Sequence, residues 1–179
     1  MTIPILVAIL AILAVVAIRF AIRGNAAAIT DPEQLLGRTQ PVDLAAFQNL
    51  ISVSDENYLR ASLPWNSYLR IHRLRCRAAR QYVAMASANA AVFVRLGQYA
   101  QHSPDEGIRS AGAKLLALAL NTRMYAIEAD MKLRFAELLP WWQPSLNLAA
   151  ATYTDLRKAL ALVVQLQRPE LAGRIYSAV

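Results

Sequence analysis

Arg70, Arg73, Arg77 and Arg80 follow one another at spacings of three, four and three residues. On an α-helix they share an arc of about 80° on one face. Arg95 returns to that face several turns later. A row of guanidinium forks grips phosphate or carboxylate oxygens two at a time, so the chemistry implied is recognition of an anion. Residues 57–104 hold seven arginines and no acidic residue, so the net charge of +7 is local to this window. Charge runs on helices usually solvate a surface. Here the row would be partly paired with Glu128, Asp130 or Glu137. Twelve acids do not neutralise nineteen bases, so some of the arginines stay unpaired. The sharper reading is contact with anionic lipid headgroups, where each basic residue adds about 1 kcal/mol, or with an acidic protein. Nucleic acid is disfavoured, because no recognised binding motif accompanies the arginines.

Other reactive residue types are sparse. Cys76 lies between Arg75 and Arg77, and nearby cations favour a thiolate. A lone helical cysteine is nevertheless more often a small core residue, and its distance in sequence from the apolar amino-terminal run argues against acylation. It has no partner for an internal disulfide. His72 and His102 sit among no cysteines or carboxylates at ligand spacing, so no metal site is expected. Glu128 and Asp130 are two apart, which splays them around a helix and makes them surface charge rather than an acid/base pair. No glycine-rich loop follows a strand, so nothing suggests a phosphate cradle or a cofactor. Trp141 and Trp142 stand between two prolines. They read first as a hydrophobic plug at one end of a bundle, and second as interface aromatics for a bilayer or a partner.

The elements that position these residues are helical. Ala, Leu, Arg and Gln are abundant, and the alternating pattern of strands is missing. Residues 43–51 carry apolar side chains at helical spacing, and Ser54 is the expected cap of the next short helix. Residues 66–101 can form one long helix. Its expected apolar face, opposite the arginines, comprises Ile71, Ala78, Tyr82, Met85 and Leu96, with Asn89 as a polar exception. Ser103-Pro104-Asp105-Glu106 is a strong start signal for a second long helix that runs to Leu139. So short a turn makes the two an antiparallel hairpin. Ala84, Ala86, Ala88, Ala90 and Ala91 on the first helix would meet Ala111, Gly112 and Ala113 on the second. Residues 145–167 form a further helix, and Pro169 opens a short terminal one.

Residues 3–18 are uninterrupted apolar sequence. Extended through residue 22, the run reaches about 30 Å as a helix, the thickness of a hydrocarbon core. Arg19 and Arg23 occupy the place where a signal peptide would be cleaved. A buried core helix would show a polar side, and this run has none. The expected fold is therefore all-α: a transmembrane anchor over residues 1–23, a linker with a short helix over 24–41, and an irregular helical bundle over 42–179 built on the long antiparallel hairpin. Basic residues follow the span and none precedes it, which directs the carboxyl side to the cytoplasm and places the protein in the cell (inner) membrane with its amino terminus outside. The expected function is a single-pass, non-enzymatic interaction or scaffold module that contacts the bilayer through residues 3–22. The alternative is an anionic-surface module using Arg70, Arg73, Arg77, Arg80 and Arg95. Self-association is left open.

Overall fold

The computed structural model describes residues 38–167. The apolar run, Arg19, Arg23, the short helix expected near Thr30 and the terminal helix expected from Pro169 lie outside the described residues. Within them the fold is all-α: α1 (Leu44–Leu50), α2 (Val53–Ser62), α3 (Trp65–Ala100), α4 (Glu106–Leu138) and α5 (Asn147–Gln167). No described helix is long and apolar enough to cross a membrane.

Local chemistry sets the boundaries. Asp43 caps α1 by accepting the Ala46 N–H at 3.0 Å. Ser52, not Ser54, caps α2: its hydroxyl accepts the Asp55 N–H at 3.3 Å, while Ser54 lies inside the first turn and pairs with the Ser52 hydroxyl. Pro64 holds Leu63 extended and separates α2 from α3. The start of α4 shifts by two residues from the expected one. Asp105 is the cap, accepting the Ile108 N–H at 3.1 Å, whereas Ser103 accepts the Asp105 N–H and so orders the turn before the helix.

The two long helices, of 36 and 33 residues, pack as the expected antiparallel hairpin, and α5 lies mainly against α4. Near the turn, Phe93, Leu96, Ala100 and Leu115 join Leu156, Leu160 and Val163 of α5 in one core. Towards the other end Phe47, Cys76, Ala79, Val83, Leu133 and Leu146 form a second. Asn89, the polar exception of α3, is fully buried and satisfied. It accepts the Gln40 N–H at 2.8 Å and donates to the Gln40 carbonyl and the Tyr153 hydroxyl, tying the incoming chain to α3 and α5.

The face of α3 turned to the core differs from the expected one. Tyr68, His72, Cys76, Ala79 and Val83 are buried, whereas Ile71, Ala78, Tyr82 and Met85 are only half-buried. The core face is therefore turned around the helix from the expected one, although Leu96 of the expected set is fully buried near the turn. Small side chains such as Ala79, Ala90 and Gly97 let α3 approach α4 closely, while Tyr68 and His72 are buried with Glu56 as a polar partner. The small-residue contact is likewise redistributed. Ala90, Ala111 and Gly112 are buried, but Ala84, Ala88 and Ala113 face outward. Gly97 and Gly112 make the tightest approach. A Cβ on Gly112 would lie 2.6 Å from the Ala100 Cβ, and one on Gly97 would lie 2.9 Å from the Leu116 nitrogen.

Gly112→Leu should therefore force the helices apart at the turn and destabilise the fold by about 1–3 kcal/mol, an overpacking penalty. A lowered urea midpoint with an unchanged slope is the expected result. Wild-type stability would show that the turn opens freely.

Candidate functional site

Once α3 is set against α4, the arginine row divides. Arg77 Nε lies 2.8 Å from Glu137 Oε1. Arg80 Nε lies 2.8 Å from Asp130 Oδ1, with its Nη1 3.7 Å from Glu137 Oε2. Asp130 also receives Arg134 at 2.7 Å. Burial raises the Asp130 pKa, but hydrogen bonds from Arg80 and Arg134 outweigh it and hold the carboxyl below its usual range. Two of the three expected internal partners are thus in use, while Glu128 pairs with Lys132 of its own helix at 2.6 Å. Arg70 and Arg73 are exposed and form no ion pair among the described residues. Arg95 is half-buried, about 22 Å further along α3, so the structure does not bring it together with the other four.

The two tryptophans separate as well. Trp142 turns towards Phe135, edge to face at 6.5 Å between centroids, while Trp141 is 66 % exposed. The Tyr68 hydroxyl lies 3.1 Å from the Pro140 carbonyl, which shares the single hydroxyl proton with the Glu56 carboxylate. Trp65, at the start of α3, is exposed too. This end of the hairpin therefore presents Trp65 and Trp141 together with the first arginines of α3.

A buried polar cluster lies beneath this end, and the sequence reading did not single it out. His72 Nδ1 is 2.5 Å from Glu56 Oε1, and its Nε2 is 2.9 Å from the Ala136 carbonyl. Both partners are acceptors, so both ring nitrogens donate and the ring is an imidazolium. Tyr68 donates to Glu56 Oε1 at 2.9 Å. Arg75 Nε lies 3.4 Å from Glu56 Oε2, and its Nη2 donates to the Asn49 and Leu50 carbonyls at the end of α1. Four helices thus meet on one carboxylate–imidazolium pair. A signal existed: Tyr68, His72 and Cys76 recur every four residues on one helix face.

The cluster has the composition of a thiol–imidazole–carboxylate triad, since Cys76 Sγ is 3.7 Å from His72 Nε2. Its geometry is different. His72 Nε2 lies nearer to the Ala136 carbonyl, at 2.9 Å, than to the sulfur. Cys76 is buried. The adjoining cavity, bordered by Val53, Leu133 and Trp142, measures about 50 Å³, against ~300 Å³ or more for most small-molecule sites. Among the described residues no three His, Cys, Asp or Glu side chains are grouped to hold a metal ion.

A second feature lies on the outer side of α4. Leu120, Met124, Met131, Phe135 and Leu138 are all exposed and, with half-buried Ile127 between them, form one line along the helix. The opposite side of α4 packs into the core through Leu115, Ala119, Ala126 and Leu133. This helix is apolar on two sides and is covered on one. Comparison with known protein families, with curated proteins and with solved structures finds no match for the chain.

The polar cluster makes stability depend on pH. The Cys76 sulfur and the Glu56 carboxylate push the His72 pKa from 6.5 up to about 10, against the cost of burial. The stabilisation from His72 is therefore complete below pH 6.5 and is lost as pH rises through about 10. Burial pushes Glu56 up, but hydrogen bonds from His72 and Tyr68 bring it net below 4.5, so its contribution is present above pH 4.5 and is lost on acidification. Urea denaturation across pH 5–10 should give a fall of a few kcal/mol towards the alkaline end, and His72→Gln should flatten that slope. A wild-type profile flat from pH 6 to 10 would mean that His72 is neutral in the fold.

Proposed function

We propose that the chain is a membrane-tethered, non-enzymatic helical module whose work is to bind a partner protein. The observation that carries this reading is the outer face of α4, where five large apolar side chains stand exposed in one line. Scattered surface leucines need no explanation, but a contiguous apolar line along a well-formed helix is typical of an interface. The tether rests on residues 3–22, whose length matches a bilayer; Arg19 near its end and Arg23 just beyond it direct the bundle to the cytoplasmic side.

A photo-activated crosslinking residue at Met131 or Phe135 of the full chain, introduced in cells, should give a protein adduct. The same residue at exposed Gln81 on α3 should not. Absence of adducts from the α4 face would sink the reading. A reporter fused after Val179 should be active on the cytoplasmic side, and activity on the outer side would reverse the orientation.

A second reading, an anionic-surface module, is favoured by the exposure of Arg70 and Arg73 in the first turns of α3, which begins at exposed Trp65. Basic residues with interfacial tryptophans suit a headgroup layer. Arg77 and Arg80 are already engaged with acids, so the contact would fall to the first two. A fragment beginning at Arg38 should bind anionic vesicles at low salt and release them at high salt. Arg70→Gln with Arg73→Gln should remove most of that binding, whereas a fragment that ignores the vesicles would exclude the reading.

A further inference from the structure

We infer that the outer face of α4 is a self-association surface and that its occupant is the same face of a second copy of this chain. The inference rests on the proposed interaction role and names the partner. Leu120, Met124, Ile127, Met131, Phe135 and Leu138 follow at spacings of four, three, four, four and three. Steps of three and four keep these side chains in one stripe that can seat between the side chains of another helix. A bilayer surface selects instead a wide apolar face with lysine and arginine along the rims.

Charge points to a second copy. The chain carries +7, so two copies repel wherever the excess is displayed, as at Arg70 and Arg73. The rims of the α4 line are different. On one side Glu128 is paired with Lys132. On the other, Asp130 and Glu137 are shared among Arg77, Arg80 and Arg134. The apolar line is thus bordered by acids and bases that nearly cancel, where two basic molecules can approach closely. An acidic partner finds only one net positive charge there, four bases against three acids.

The size is also suitable. The line runs about 27 Å along the helix. Its exposed side chains offer on the order of 600 Å² per copy, approaching the ~800 Å² per partner of a standard stable interface. A surface that meets itself closes as a two-fold dimer, the commonest symmetric assembly.

The test uses the full chain in detergent micelles or nanodiscs, with mass read by sedimentation equilibrium or mass photometry. Wild type should be dimeric. Met124→Glu and Met131→Glu place a carboxylate in the line at exposed positions where the monomer has little to lose; each should weaken dimerisation by about tenfold or more, because the charge is buried only in the dimer. Circular dichroism should be unchanged. Leu74→Glu, at an exposed site on α3, should leave the dimer intact. A monomeric wild type, or a dimer indifferent to both α4 substitutions, would overturn the inference. Crosslinks from Met131 to a different protein would overturn it while leaving the interaction role standing, and the absence of any crosslink would remove both.

Discussion

At Gly97 and Gly112 the backbones of α3 and α4 approach so closely that a single methyl group on either would collide with the other helix. Two rigid helices pinned at one end have little freedom at the other. Once the turn is closed at this separation, residues far along the hairpin meet in fixed register. Arg80 finds Asp130, Arg77 finds Glu137, the His72 ring reaches the Ala136 carbonyl and Tyr68 reaches Pro140. These contacts repeat the same pairing of α3 and α4 towards the open end. The narrow gap also explains why the contact uses alanine, glycine and cysteine, and why Ile71 and Met85 are displaced to its flanks.

The open end is held by polar means. An ion pair taken out of water carries a desolvation cost that its own attraction only partly offsets. Glu56 and His72 meet that cost with further hydrogen bonds: Tyr68 reaches the carboxylate, and Ala136 accepts the second imidazole proton. What the cluster adds is geometric definition. Apolar contacts alone would let α2 slide along α3, whereas a carboxylate that must meet an imidazole and a phenol admits one position. The same requirement fixes the orientation of the His72 ring between Glu56 and the Ala136 carbonyl.

Much of the architecture was legible in the sequence because it is written in local signals. The Ser103-Pro104-Asp105-Glu106 start and the Pro140 stop bound the second long helix to within a few residues, and a helix ending at Ala100 with another beginning at Glu106 must form a hairpin. Phase was not legible. A helical wheel assigns large apolar residues to the core, yet the inward face of α3 holds Tyr68, His72 and Cys76, because inter-helix distance selects size and a buried partner makes polarity tolerable. Neither quantity is local. The arginine row was visible as a row, but its division into Arg77 and Arg80, which are paired, and Arg70 and Arg73, which form no ion pair among the described residues, depends on where Asp130 and Glu137 come to rest. The apolar line on α4 could have been read, since its residues recur by threes and fours beside a second set that does the same.

The ion pairs between the long helices have a consequence beyond their own modest energy. Exposed pairs stabilise a fold by only about 0–1 kcal/mol each, so their contribution to the hairpin is small beside its apolar contact. Their effect on the surface is larger. By drawing Arg77, Arg80 and Arg134 onto Asp130 and Glu137, they leave the outer face of α4 bordered by nearly cancelled charges, while Arg70 and Arg73 display theirs at the start of α3. A strongly basic chain thereby displays two surfaces of opposite character, one suited to an anion and one to an uncharged apolar partner. Both follow from the closure that Gly97 and Gly112 permit, since a different register would part the arginines from their acids and spread positive charge along the α4 line.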